Sequence, residues 1–135
     1  MQLSQKQIDI LIKSAISARK NAYAPYSNYK VGCSVLVQSN KIYTGCNVEN
    51  ASYGLTVCAE RVAILKAVSE GEKEITALAV VAEEEKIVSP CGACLQVMAE
   101  FSSKDDELII IACNLNEKYG ISLLSDYLPK QFDLQ

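Results

Sequence analysis

The sequence predicts an α/β protein, a three-layer α/β/α sandwich around a mixed central sheet. Three observations carry that expectation. Helical periodicity alternates with short apolar runs of strand length, a hairpin precedes two strands each entered from a helix, and half of the 135 residues are hydrophobic. The hairpin is antiparallel by construction. Helical crossovers favour parallel strands with helices on both faces, so the sheet should combine the two pairings.

Each element follows from a local pattern. Ser4 and Gln7 read as a capping box, with Leu3 and Ile8 placed as a hydrophobic staple. Ile8, Leu11, Ile12, Ala15 and Ile16 recur at helical spacing, predicting a helix over 5–20. The segment NAYAPYSNYK, with Pro25 and three tyrosines, breaks that period and reads as a turn. From Lys30, Val31, Cys33, Val35 and Val37 alternate with Gly32, Ser34 and Leu36, which suits a strand whose second face is not very polar. QSNK turns the chain into IYTG, giving a hairpin over 30–44, and CNVENASYG follows as a loop.

Residues 58–70 read as a helix in which Val62, Leu65 and Val68 are apolar. Ala63, Ile64 and Ala67 widen that surface almost all round, so the helix should be largely buried, and Gly71 ends it. ITALAVVA (75–82) and ELIIIACN (107–114) have the length and composition of buried strands. Between them EEEK is a solvated turn and 91–101 a helix with Leu95, Met98 and Phe101 inward. The segment ISLLSDYLPKQF fits either a last short strand or a helical turn before Pro129.

Residues 1–135 have the length of one domain, with no internal repeat or linker. The net charge of −3, with no basic cluster beyond isolated pairs such as Arg19-Lys20, argues against a nucleic-acid partner. No run approaches the roughly 20 apolar residues of a membrane span, and the N-terminus has no signal-peptide pattern. A cytoplasmic location without membrane attachment is therefore expected.

The chain has six cysteines and no histidine, so a transition-metal site would be built largely from thiolates. In a reducing compartment these cysteines are expected as thiols or metal ligands rather than disulfides. Cys33 and Cys113, in apolar strands, read as small core hydrophobes, and Cys46 as a packing residue. Cys91 and Cys94, entering a helix after Pro90, fit a redox pair, half of a metal site or an incidental spacing. A closed structural zinc site needs a second close pair, and the other cysteines are single. Cys58, at a predicted helix start, could instead supply a third thiolate. Three protein ligands leave zinc one open position, as a catalytic zinc needs in order to hold water. Arg61 and the helix N-termini would temper the thiolate charge. Glu60 is either an ordinary first-turn glutamate or a functional carboxylate placed beside a ligand on an apolar helix. Cys58-Ala59-Glu60 with Pro90-Cys91-Gly92-Ala93-Cys94 matches the zinc-deaminase signature, a cysteine standing for its histidine.

NAYAPYS, GCNVENASYG, CAER, KAVSEG and SPCGAC together resemble the small homotetrameric cytidine deaminases of pyrimidine salvage. The resemblance runs from NAYAPYSNYKVG to YLPKQF and covers most of the chain. It implies a cytidine deaminase-like fold and hydrolytic deamination of cytidine and deoxycytidine to uridine and deoxyuridine, with release of ammonia. It also implies one Zn2+ per subunit to activate water, and a homotetramer whose sites are completed by neighbouring subunits. Cys58, Cys91 and Cys94 match the family's zinc ligands and Glu60 its proton shuttle. Asn47 and Glu49 match the pair that hydrogen-bonds the ribose 3′-hydroxyl, and Ala59 the residue whose backbone helps hold the base. Tyr29 stands where the family usually has a phenylalanine against the pyrimidine. Tyr53 and Phe132 match aromatics supplied across subunit boundaries, and Arg61 the arginine that hydrogen-bonds the ligand sulfurs.

Some of this is sound chemistry unaided. Asn47 both donates and accepts whereas Glu49 only accepts, so one sugar hydroxyl could be satisfied by both, although NVEN is equally a polar turn. Two departures from the family stand out. Leu95 replaces an arginine and is expected to leave the thiolates more negative or to alter subunit contacts, unless Arg61 and the helix termini suffice. The Tyr29 hydroxyl must find a partner or water. Two other functions fit the metal motif: deamination of another aminopyrimidine, such as a blasticidin-type compound, and a catalytically weak zinc-stabilised binding protein. NVEN argues against the first and Glu60 against the second.

Overall fold

The computed structural model describes residues 2–134. Its first element is helix α1 (Gln5–Arg19). The hairpin β1 (Gly32–Val37) and β2 (Ile42–Cys46) comes next, then a 3-10 turn over Tyr53–Leu55 and helix α2 (Ala59–Ser69). Strand β3 (Ile75–Val81), helix α3 (Gly92–Phe101) and strand β4 (Ile109–Cys113) follow, and β5 (Tyr119–Leu123) leads directly into the short helix α4 (Leu124–Tyr127). The C-terminal segment that fitted a strand or a helical turn forms both.

The strands order as β2-β1-β3-β4-β5. β1 pairs antiparallel with β2 and with β3, β3 pairs parallel with β4, and β5 closes the edge antiparallel to β4. Strands β2, β3 and β4 thus run in one direction, as helical crossovers demand. However, β1 lies between β2 and β3, so β3–β4 is the parallel contact. This is a mixed sheet, as the sequence predicts.

α1 begins with the expected capping box: Ser4 Oγ accepts the Gln7 N–H and Gln7 Oε1 accepts the Ser4 N–H. Its stripe of Ile8, Leu11, Ile12 and Ala15 packs on one sheet face against Leu36, Ala77, Ala79, Val81, Ile109 and Ile111. Gly32 is required for this approach, since a Cβ there would lie 2.0 Å from the Ala15 carbonyl oxygen. The other face carries α2, α3 and Leu124 of α4 over Cys33, Val35, Val37, Leu78, Val80 and Ile110. Both faces of β1 are therefore covered, which explains the weak polar alternation of its sequence.

α2 differs from expectation. Its buried residues are Ala59, Glu60, Ala63, Ile64 and Ala67, whereas Leu65 is 49% exposed and Val62 and Val68 are half-buried. The cause is the close approach at Gly45, where a Cβ would sit 2.5 Å from the Ala63 nitrogen. Ala59, Ala63 and Ala67 allow that seat beside the fully buried Ile64, and Leu65 turns outward. Leu95, in turn, lies in the apolar core beneath α2 and α3.

Candidate active site

Two helix beginnings meet over the sheet. Cys58 is the N-cap residue of α2 and Cys91 that of α3, and neither side chain caps its own helix. Both sulfurs are thus left for other partners, each beside the positive end of a helix dipole. Cys94 lies within the first turn of α3 and is buried. The Cys91 and Cys94 sulfurs are 3.3 Å apart and those of Cys58 and Cys91 3.9 Å, all three lying within 4.8 Å of one another. Tetrahedral zinc with bonds of about 2.3 Å holds its sulfur ligands about 3.8 Å apart, so the observed cluster fits that ion.

The electrostatics fit it too. The Cys58 thiol is drawn down to about 5 by hydrogen bonding with Cys94 and with Arg61, against the opposing effect of its partial burial. The Cys94 thiol is pushed up, first by its bond to Cys58 and then by burial. Arg61 Nη2 donates to Cys58 Sγ at 3.5 Å and to the Thr56 carbonyl at 3.4 Å. Its Nε is buried with no hydrogen-bond partner among the described residues. The guanidinium therefore sits against the Cys58 sulfur, and the Leu95 side chain is core.

Glu60 follows two residues after Cys58 and is only 5% exposed. Burial raises its carboxyl above the ordinary range and the Cys58 thiolate adds to this. Its own backbone N–H, the Cys94 thiol and Arg61 act in the opposite sense. Ala59, between ligand and carboxylate, is fully buried.

The remaining predicted residues fall into two groups. Tyr29, Asn47 and Glu49 come together through one hydrogen-bonded loop. Asn47 Oδ1 accepts the Val31 N–H at 2.9 Å and Nδ2 donates to the Tyr29 carbonyl at 2.8 Å. Glu49 Oε1 accepts the N–H groups of Tyr26 and Ser27, and Ser27 Oγ donates to Glu49 Oε2. These bonds hold the Glu49 carboxyl below its ordinary value, the Ser27 hydroxyl being the largest cause. The Tyr29 phenol is raised by burial, then by Glu83, with Arg19 opposing and Glu60 adding, which puts this loop within electrostatic reach of Glu60. Tyr53 and Phe132 form the second group. They are 84% and 69% exposed and do not join the cluster within one chain. Phe132 instead lines a separate cleft of about 590 Å³ with Gln96, Glu100, Ser103 and Glu107.

Sequence reasoning passed over Ser27. The signal was present, since Ser-Asn in a turn often bonds the backbone two residues on. Its long-range bond to Glu49 left no trace in local pattern.

An α/β/α sandwich that gathers three thiols and a buried carboxylate at two helix N-termini defines a zinc-dependent hydrolase. Residues 5–112 match the family model for the cytidine and deoxycytidylate deaminase zinc-binding region. The chain is 47% identical over 123 residues to the cytidine deaminase of Halalkalibacterium halodurans, covering 91% of this chain and 92% of that protein. It is 53% identical over 125 residues to that of Sporosarcina psychrophila, covering 93% and 90%. A crystal structure of cytidine deaminase from Burkholderia pseudomallei superimposes with a TM-score of 0.86 at 41% identity, covering 96% of this chain and all of the other. The chain belongs to this family of zinc-dependent cytidine deaminases.

Proposed function

We propose that the protein hydrolyses the C4 amine of cytidine and deoxycytidine, giving uridine or deoxyuridine and ammonia, in pyrimidine salvage. The observation that carries this reading is the convergence of the Cys58, Cys91 and Cys94 sulfurs beside a buried glutamate. It is supported by the family and by relatives of nearly full length that are cytidine deaminases.

Cys58, Cys91 and Cys94 would hold zinc, which when bound would supply a Lewis acid that brings the pKa of water toward neutrality. The chain's own contribution is proton movement and orientation. Glu60 takes one proton from the attacking water and delivers it to ring N3, which makes C4 electrophilic. The water oxygen adds to C4. Glu60 then moves the second proton of that water to the exocyclic amine, the C4–N bond breaks, and ammonia leaves. Burial suits Glu60 to this cycle, because a carboxyl raised toward neutrality both accepts and releases a proton readily. Arg61 tempers the charge of the sulfurs. Asn47 and Glu49 hold one hydroxyl of the sugar, the Ala59 backbone helps hold the base, and the Tyr29 ring lies against the pyrimidine.

The exposed rings of Tyr53 and Phe132, together with exposed Leu55 and Leu65, support a homotetramer in which neighbouring subunits complete each site. Residues 1–135 then act as one domain per subunit, without nucleic-acid or membrane partners and in the cytoplasm. Among the described residues no helix is long and apolar enough to cross a membrane. Incubating the purified protein with cytidine, deoxycytidine, cytosine, CMP and blasticidin S, with ultraviolet absorbance followed and zinc measured, tests the reading. Turnover of both nucleosides with one zinc per chain is expected. Turnover of blasticidin S alone, or of none of the five, would contradict it.

A further inference from the structure

We propose that Ser27 is a positioning residue for sugar recognition: its hydroxyl fixes the Glu49 carboxylate and the Tyr29 peptide together, leaving that carboxylate one open position for a sugar hydroxyl. The proposal rests on the reading of Asn47 and Glu49 as sugar contacts and goes beyond it by naming what orients them.

The hydrogen-bond inventory carries the inference. A carboxylate offers about four acceptor positions. Glu49 uses three of them, for the Tyr26 N–H at 3.0 Å, the Ser27 N–H at 3.2 Å and the Ser27 hydroxyl. One position remains, and it lies on Oε2, the oxygen whose other bond comes from Ser27. The Asn47 amide offers two donors and two acceptors. One of each is spent on the Tyr29 carbonyl and the Val31 N–H, so one donor and one acceptor remain. One acceptor and one donor are what a hydroxyl group needs when it donates to the first and accepts from the second. A carboxylate free of these bonds would rotate and accept from several directions, with no preference for one hydroxyl.

Ser27 also reaches the base side of the site. Its Oγ accepts the Tyr29 N–H at 3.0 Å, while Asn47 holds the Tyr29 carbonyl from the other end. The peptide bearing the Tyr29 ring is therefore tied to the same hydroxyl that orients Glu49. Between them Asn28 adopts φ 56°, a left-handed turn that asparagine tolerates and that lets the chain fold back on Ser27. The Ser27 hydroxyl is the side-chain group that bonds both the carboxylate and the ring-bearing peptide, and so links sugar and base contacts beside the backbone N–H groups and Asn47 that hold each separately.

Steady-state kinetics of Ser27→Ala on cytidine and on 2′,3′-dideoxycytidine, which lacks the sugar hydroxyl at issue, test this. Loss of an orienting bond to a charged group is expected to lower kcat/KM for cytidine about tenfold, chiefly through KM. The dideoxy substrate should change by less than about twofold, with zinc content unaltered, and Ser27→Thr, which keeps the hydroxyl, should restore most of the loss. Where dideoxycytidine turnover is too slow to follow, its inhibition constant against cytidine replaces it. Equal losses on both substrates, or none on either, would overturn the proposal. Glu49→Gln separates the two levels of the reading. If it affects both substrates alike, Glu49 is not a sugar contact and both readings fall. If it is selective for cytidine while Ser27→Ala is not, only the role of Ser27 fails.

Discussion

The two faces of the sheet are built from similar aliphatic side chains, yet they treat polar groups in opposite ways. On the α1 face the buried Ser34 hydroxyl donates to the Leu11 carbonyl at 2.6 Å and the Cys113 thiol to the Val80 carbonyl at 3.3 Å. Each polar group there is satisfied within the chain, and burial pushes the Cys113 thiol up to about 12. On the α2 and α3 face three sulfurs crowd together, a carboxyl is buried beside them, and the Arg61 Nε finds no partner among the described residues. The same residue type is thus raised by burial at Cys113 on one face and at Cys33 in the core of the other, yet drawn down to about 5 at Cys58, where the two helices begin. The difference shows that a polar group satisfied internally serves packing, whereas a cluster held together without enough internal partners is built for something it binds.

Cysteine replacements probe this contrast with the largest expected effect. Cys58→Ser should abolish stoichiometric zinc and reduce deamination to background, because metal affinity is part of the folding free energy of such sites. Cys113→Ala should keep one zinc per chain and full turnover per zinc, at a stability loss of about 1–2 kcal/mol for the small cavity. Metal analysis and thermal denaturation of both variants check the pair. A zinc-loaded, active Cys58→Ser protein would erase the distinction between the faces.

The two close-approach glycines sharpen it. Gly32→Ala on the α1 face and Gly45→Ala on the α2 face both drive a Cβ into helix backbone, at 2.0 Å and 2.5 Å. Each should destabilise by about 1–3 kcal/mol or more. Only Gly45→Ala should also weaken zinc binding, since it displaces the first turn of α2, which follows Cys58 and bears Glu60. Zinc affinity measured by competition with a chelator distinguishes them.

A smaller effect is expected from alkylation of the chelated protein at neutral pH. Cys58, as a thiolate above about pH 5, should react well before Cys33 and Cys113, whose thiols burial raises. Its rate should fall as the pH is lowered through 5. Equal labelling of all three would mean that the metal-free chain has lost the fold that separates them.

Much of this contrast was legible in the sequence. The capping box at Ser4, the apolar strands and the Cys58–Glu60–Cys91–Cys94 spacing each express a local rule, and each stands in the structure where the rule puts it. Illegible were choices made between elements. Nothing in the periodicity of 58–70 says which side of a helix apolar nearly all round will face a sheet, so the exposure of Leu65 depended on Gly45, fourteen residues before the first residue of the helix, Ala59. The insertion of β1 between β2 and β3 is likewise a long-range outcome. So is the Ser27–Glu49 bond, which joins residues 22 positions apart. Leu95, which reads as a missing positive charge in the sequence, is an apolar core contact in the fold.

The central claim is that the three thiols hold the metal while Glu60 moves the protons, and Glu60→Gln tests it most directly. The amide is nearly the same size and cannot carry a proton through the cycle. Zinc should remain at one per chain and the fold should be unchanged, while kcat for cytidine falls by about 10²–10⁴ or more. A Glu60→Gln protein that kept its zinc and most of its turnover would contradict the account.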